Sequence, residues 1–334
     1  MNSPFPSIDL IIHNARIFDT REGFIQPTAL ATGFGRIMAL GSDQEILSLQ
    51  TASSQIINAG GKLLLPAFTD SHTHYWKYVQ RQMEVNLESC HSLQETLSQI
   101  RKKVQESPAG SWITGGGWDY NRWPAGEFPH RVQLDDISTR HFIALDSRDW
   151  HTCWVNTPVL KRVGIALDKP YPGAKQLALH PVTREFTGLL EEQVRLAVFD
   201  LLPKWDYARL QSSYPEILKQ FYRCGITAVH SVETPDEFRI SQEARNQNQL
   251  GMRIFWYFPY QLLDQAKELA IGQGVGDDFL RIFGVKMFVD GAFGSQSAEL
   301  LEKYDQLEHA GTEVMTESEL REAVAAAVTS RLSC

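Results

Sequence analysis

Two histidines two positions apart, His72 and His74, are the residues of this sequence best spaced to do chemistry together. They follow an apolar run that ends at Phe68, and residues two apart on extended backbone point to the same face. Both imidazoles can therefore meet one metal ion, and neutral imidazole suits Zn²⁺. The alternative is a pair satisfied by hydrogen bonds at a strand end. The spacing alone arises often by chance, so its context must support the metal.

Two other histidines stand next to apolar runs. His230 ends the run that begins at Ile226, and His151 follows the run 141–145. His151 is placed as a substrate-contacting or oxyanion-stabilising residue would be, and His230 as a metal ligand or a pocket wall. The alternatives are a loop histidine packed on a neighbouring tryptophan for His151 and a structural role for His230.

Trp118 and Trp123 follow three successive glycines, Gly115 to Gly117. Such tryptophans are candidates to line an apolar substrate pocket, and plain packing accounts for them equally well. The glycines do not predict a phosphate site, because no Gly-Lys-Ser/Thr sequence follows them and no dinucleotide-binding fingerprint is present.

The elements that must position these residues change in character near residue 62. Short β-rich runs with Gly, Asp and Asn turns predict a small β-domain over residues 1–62. Apolar runs that alternate with helical periodicity then predict an α/β domain over residues 63–334. The predicted strands of that domain are 63–68, 141–145, 226–229, 253–258 and 282–289, and its predicted helices are 92–105, 214–224, 235–247, 262–271 and 316–330, the last with a capping box from Thr316 to Glu319.

Composition indicates a globular protein with an acidic balance. Hydrophobic residues make up 43% of the 334 residues, and 40 Asp and Glu against 32 Lys and Arg give a net charge of -8. This balance argues against a nucleic-acid partner. Four cysteines without CxxC spacing, no basic leader and no long apolar run predict a cytoplasmic protein without disulfides or a membrane segment.

The passage from the β-domain through Leu64 to His74 resembles the amidohydrolase superfamily, in which such a strand opens a metal-bearing TIM barrel. Three further stretches resemble the amidohydrolase-3 group, the YtcJ-like metal-dependent hydrolases related to N-substituted formamide deformylase: 115–124 with 128–129, 150–156 and 285–295. The resemblance implies an α/β fold in which a (β/α)₈ barrel follows a β-domain of the composite amidohydrolase type. It also implies a divalent metal, zinc first, and a small-molecule amide-type substrate.

By this resemblance His72 and His74 are metal ligands. Lys286 lies near the end of an apolar run, where a barrel presents functional residues, and it is the candidate for a carboxylated, metal-binding lysine. Carboxylation is the reaction of the lysine amine with CO₂. It needs the neutral amine, and burial favours that form. The rival is an unmodified lysine held by Asp290. The candidate substrate contacts are His151, Trp118, Trp123, His230 and Asp290.

A complete barrel needs eight parallel strands, whereas five strand candidates precede Cys334. The later histidines and the catalytic aspartate that the resemblance implies are therefore expected beyond Cys334. We expect the first part of a C-terminally truncated barrel, inactive as an amidase and poorly soluble or homo-oligomeric. Two functions stay open: a metal-dependent hydrolase that cleaves non-peptide C–N bonds with metal-activated water, and a non-catalytic binding or scaffold protein derived from one.

Overall fold

The computed structural model describes residues 8–148, 152–165, 177–179, 186–291, 298–304 and 309–334. The chain divides into one compact unit of residues 1–69 with 225–227 and a second unit of residues 70–224 with 228–334. The predicted boundary near residue 62 stays a prediction. In the part of the chain described here, no helix has the length and apolar character needed to cross a membrane.

The first unit is built from short strands. Its elements are β1 (Leu10–His13), β2 (Arg16–Asp19), β3 (Gly23–Phe24), β4 (Ala29–Gly33), β5 (Arg36–Gly41), α1 (Asp43–Leu47), β6 (Gln55–Asn58) and β7 (Leu63–Leu64). One sheet has the order β5-β4-β1-β6, and a smaller one has the order β3-β2-β7. Ile11 on β1 and Ile46 on α1 lie in its core. Ser42 and Glu45 form a capping box that starts α1.

The second unit contains a sheet with the order β13-β14-β12-β11-β10-β9. Strands β9, β10 and β11 run parallel, whereas β12 and β14 pair antiparallel. Its elements are α2 (Tyr75–Met83), β9 (Val85–Asn86), α3 (Leu93–Gln105), β10 (Trp112–Trp118), α4 (Arg131–Ile137), β11 (Phe142–Ser147), β12 (Thr152–Val155), α5 (Thr157–Val163), β13 (Leu177–Leu179), β14 (Phe186–Glu191) and α6 (Glu192–Phe199).

A second sheet has the order β17-β16-β15-β8, and it carries the histidine pair. Its elements are β8 (Phe68–Thr73), α7 (Tyr207–Leu210), α8 (Tyr214–Arg223), β15 (Ile226–Val232), α9 (Pro235–Asn246), β16 (Arg253–Pro259), α10 (Leu263–Glu268), β17 (Leu280–Lys286) and α11 (Glu317–Thr329). Strands β15, β16 and β17 are parallel. Strand β8 runs the same way, because Phe68 N–H bonds the Gly225 carbonyl at one end and His74 reaches the Val232 carbonyl at the other.

The predicted α/β fold is confirmed, and most predicted elements appear within a few residues of their expected bounds. The capping box from Thr316 to Glu319 that starts α11 is also present. The predicted strand 141–145 is present. It forms part of β11, which pairs with the glycine-rich strand β10 in the other sheet. The described strands form open sheets, and the closed barrel stays a prediction.

Candidate metal site

His72 lies in β8 and His74 immediately precedes α2, and both side chains are exposed. The centroids of their rings are 6.0 Å apart, with the ring planes nearly perpendicular. Asp70 accepts a hydrogen bond from the His72 backbone N–H at 3.0 Å. Both residues of this hydrogen bond lie in β8. The two predicted histidines are therefore close together, and both side chains are accessible to solvent.

The ring of His74 is fixed by the neighbouring strand. Its Nδ1 lies 2.5 Å from the Val232 carbonyl oxygen at the end of β15. A carbonyl only accepts hydrogen bonds, so Nδ1 carries the proton and Nε2 keeps its lone pair. Metal-binding histidines commonly donate their second ring N–H to such an oxygen.

The residues on either side of Val232 also contact the chain after His74. Ser231 Oγ accepts from the Tyr75 N–H at 3.2 Å, and Glu233 Oε1 accepts from the Trp76 N–H. Ser231, Glu233, Tyr75 and Trp76 are all buried. Sequence analysis missed Glu233, which directly follows β15. Burial raises the pKa of its carboxyl group to about 8, while hydrogen bonds from the α2 backbone act in the opposite direction.

Lys286 is the last residue of β17, on the opposite edge strand of the same sheet. Its ammonium lies 4.9 Å from the centroid of the Phe288 ring, and it lines a cleft of about 280 Å³. Asp290, its expected partner, accepts from the Glu299 backbone N–H at 2.9 Å. The choice between a carboxylated and an unmodified Lys286 stays a prediction.

His230 lies among aromatic rings on one face of this sheet. The centroids of the Phe255 and Phe283 rings are 4.9 Å and 4.8 Å from that of His230. Its Nδ1 is 3.2 Å from the Tyr257 hydroxyl, and partial burial lowers the pKa of the imidazole. These contacts agree with the structural alternative. His151 lies outside the described residues.

The two candidate tryptophans belong to the core of the six-stranded sheet. Trp118 is 2% and Trp123 is 6% exposed, and both pack near Trp154. Trp118 Nε1 donates to the Leu145 carbonyl at 2.7 Å. Plain packing thus accounts for both, although Trp118 also lines a cleft of about 450 Å³ with Asp119 and Tyr120.

Two side chains at this place, those of His72 and His74, are of the type that binds a divalent metal. His72 and His74 present imidazoles to solvent, and the hydrogen bond of His74 leaves Nε2 for a ligand. Among the residues whose placement is described, no group of three or more His, Cys, Asp or Glu side chains is gathered to hold an ion. Among the described residues, the candidate site is therefore the histidine pair.

As a class, this is an α/β protein with paired histidines at the end of a strand. Comparison with known families is more specific: the chain belongs to the amidohydrolase family, which residues 55–334 match. The predicted resemblance is confirmed. The chain is 28% identical to Protein LONG AFTER FAR-RED 3 of Arabidopsis thaliana, over 93% of this chain and 55% of that protein.

Two bacterial relatives and one solved structure extend this similarity. The putative amidohydrolase YtcJ of Bacillus subtilis is 21% identical over 88% of this chain and 56% of its own length. The N-substituted formamide deformylase of Arthrobacter pascens is 23% identical over 66% and 42%. An uncharacterized metal-dependent hydrolase from Pyrococcus furiosus superposes with a TM-score of 0.77 at 25% identity, covering 97% of this chain and 66% of that structure. The chain thus spans about half the length of the curated relatives it matches.

Proposed function

We propose that this chain carries metal-binding residues of a hydrolase that cleaves non-peptide, amide-type C–N bonds. One observation carries the proposal: His72 and His74 meet at an accessible strand end, and His74 has its Nδ1 bound to a carbonyl. Family membership supplies the reaction class. The relative named N-substituted formamide deformylase supports small N-acyl or N-formyl amines as substrates.

In this proposal His72 and His74 bind the ion, and Asp70 accepts a hydrogen bond from the His72 backbone N–H. A bound divalent ion, zinc as first choice, supplies a lowered water pKa and polarises a substrate carbonyl. Lys286 is a further candidate ligand, and His151, His230, Trp118, Trp123 and Asp290 remain candidate substrate contacts. A cytoplasmic setting is part of the proposal, because all four cysteines are free thiols.

The first test measures zinc bound per chain, by metal analysis after dialysis, for the wild type and a His72→Ala/His74→Ala double variant. We expect bound zinc to be lost in the double variant. His91→Ala is the matched control, since His91 is also exposed but is not spaced to share an ion with another histidine. Equal zinc in the wild type and the double variant would remove the metal site from the proposal.

The second test separates the hydrolase from a binding or scaffold protein, the alternative function predicted from the sequence. Amine release from N-formyl and N-acyl amines is followed with and without added zinc. Zinc-dependent release that the double variant lacks supports the hydrolase. Zinc binding without release, at any substrate tested, favours the binding protein.

A further inference from the structure

Consecutive residues at the end of β15 accept hydrogen bonds from consecutive residues at the start of α2. Val232 O accepts from His74, Ser231 Oγ from the Tyr75 N–H, and Glu233 Oε1 from the Trp76 N–H. Glu233 directly follows β15, and His74 directly precedes α2. Three consecutive residues thus bind three consecutive residues, beginning at the candidate ligand. We call Ser231–Glu233 the β15 clasp.

The β15 clasp supplies hydrogen-bond acceptors that α2 itself cannot provide for its first N–H groups. The first N–H groups of a helix have no partner within the helix and need an acceptor from outside. His74 stands at the N-cap of α2 but its side chain makes no capping hydrogen bond to it. Its ring is directed to Val232 instead, so Ser231 and Glu233 provide the acceptors that a capping side chain normally provides.

Burial makes these acceptors necessary. Tyr75, Trp76 and Ser231 are fully buried and Glu233 is 4% exposed, so water does not replace a lost acceptor. The Trp76 side chain is also fixed, since its Nε1 donates to Ser241 Oγ on α9 at 2.6 Å. If Glu233 is removed, the buried N–H groups must move to find partners. The nearest residue whose backbone can move to allow this is the one before Tyr75, which is the exposed His74.

We propose that Glu233 is a positioning residue of the metal site, which holds His74 in place through the first turn of α2 and so keeps Nε2 available to the ion. This inference rests on the proposed function, since it assumes that His74 binds metal. Glu233 does not touch the ion itself. Its effect is transmitted by the Trp76 backbone and by the adjacent Val232 carbonyl.

The test compares Glu233→Ala and Glu233→Gln by Co²⁺ titration, with the visible ligand-field spectrum as readout. Loss of an outer partner of a metal ligand typically weakens metal binding by about 10- to 100-fold, which we expect for Glu233→Ala. Glu233→Gln keeps one acceptor oxygen for the Trp76 N–H, so it should recover most of the affinity and the wild-type spectrum. Unchanged Co²⁺ affinity in Glu233→Ala overturns the inference.

Glu84→Ala is the matched control, because Glu84 is a partly buried glutamate at the opposite end of the same helix. We expect it to lower stability without changing Co²⁺ affinity. Equal weakening by both alanine variants would mean general loosening of α2 and would overturn the inference. If Glu233→Ala does not fold, Ser231→Ala replaces it. We expect weaker Co²⁺ binding in that variant, and unchanged binding would contradict the inference.

A metal-free measurement keeps this inference separate from the proposed function. In ¹⁵N-histidine NMR spectra of the apoprotein at alkaline pH, His74 should be the Nδ1–H tautomer, and Glu233→Ala should mix the two tautomers. An Nε2–H tautomer in the wild type overturns the clasp whatever the metal result. A wild type that shows the Nδ1–H tautomer but binds no Co²⁺ through His72 and His74 contradicts the proposed function instead.

Discussion

At the residue scale, Glu233 accepts a hydrogen bond from the first turn of α2, but burial disfavours the charged form of its carboxyl group. Its carboxyl group is buried, and burial raises its pKa from 4.5 to about 8. The nearby Glu237 carboxylate acts in the same direction, whereas hydrogen bonds from Trp76, Lys77 and Ser231 favour the charged form. The folded chain therefore holds this proton to higher pH than the unfolded chain does.

This shift predicts a pH dependence of stability. Because the folded state binds more protons between about pH 4.5 and about pH 8, the Glu233 contribution to the free energy of unfolding falls as pH rises through that window. The fall is on the order of a few kcal/mol, and Glu233→Gln should remove it. Urea unfolding at both ends of the window measures it. An equally steep decline in the Gln variant would contradict the assignment to Glu233.

At the element scale, β10 shows why three successive glycines occupy a strand. A Cβ on Gly115 would lie 2.1 Å from the Val85 carbonyl oxygen, and one on Gly116 would lie 2.4 Å from that of Asp146. A Cβ on Gly117 would lie 2.4 Å from the Glu88 side chain. The glycines therefore allow β9 and β11 to approach β10 closely, and they do not form an anion-binding loop.

Gly115→Ala should be strongly destabilising for this reason. Gly115 has φ +142° and no room for a Cβ, whereas Gly110 has φ +85° and no atom within 4 Å of an added Cβ. Gly110→Ala measures the backbone cost alone, about 1 kcal/mol. The close contact at Gly115 should add about 2 kcal/mol or more. Chemical denaturation of both variants provides the comparison, and equal losses would show that the strands separate freely.

The two sheets mark how far local sequence predicts this fold. Strands β15 and β16 and the helices α3, α8, α9 and α11 follow from apolar periodicity and capping residues. β10 was missed because glycine is depleted in strands. Periodicity indicated strand 141–145, but it says nothing about pairing partners and so did not predict that this strand pairs with β10. His72 and His74 were found by their spacing, but Glu233 acts on residues more than 150 positions earlier, a contact that no local pattern encodes.

At the scale of the whole molecule, the outer edge of β17 is partly covered. The Val285 N–H donates to the Ser333 carbonyl at 2.7 Å, and the Ser333 N–H donates to that of Phe283 at 3.2 Å. Leu332, 4% exposed, fixes this segment in the core beside β17. An unpaired edge favours self-association, so this segment opposes it.

Leu332→Ala should therefore lower stability and increase self-association together. Loss of the buried side chain costs about 2–5 kcal/mol, and the weakened segment leaves the β17 edge free to pair with a second copy. Thermal unfolding and light scattering measure the two effects. Val328→Ala is the control, since Val328 is 63% exposed and its truncation should change stability by less than about 0.5 kcal/mol. A destabilised variant that scatters like the wild type would contradict the role of this edge.

The contact between His74 and Val232 joins residues 158 positions apart. Closing a flexible loop of that length costs roughly 4–5 kcal/mol of chain entropy, and such contacts form slowly. During synthesis, the six-stranded sheet of residues 85–191 leaves the ribosome before β15 does, so its strands can pair while His74 still lacks its carbonyl. The hydrogen bond that fixes the His74 ring is thus completed only after Val232 has emerged, and a nascent chain shorter than that exposes both imidazoles without the contact that leaves the lone pair on Nε2 of His74.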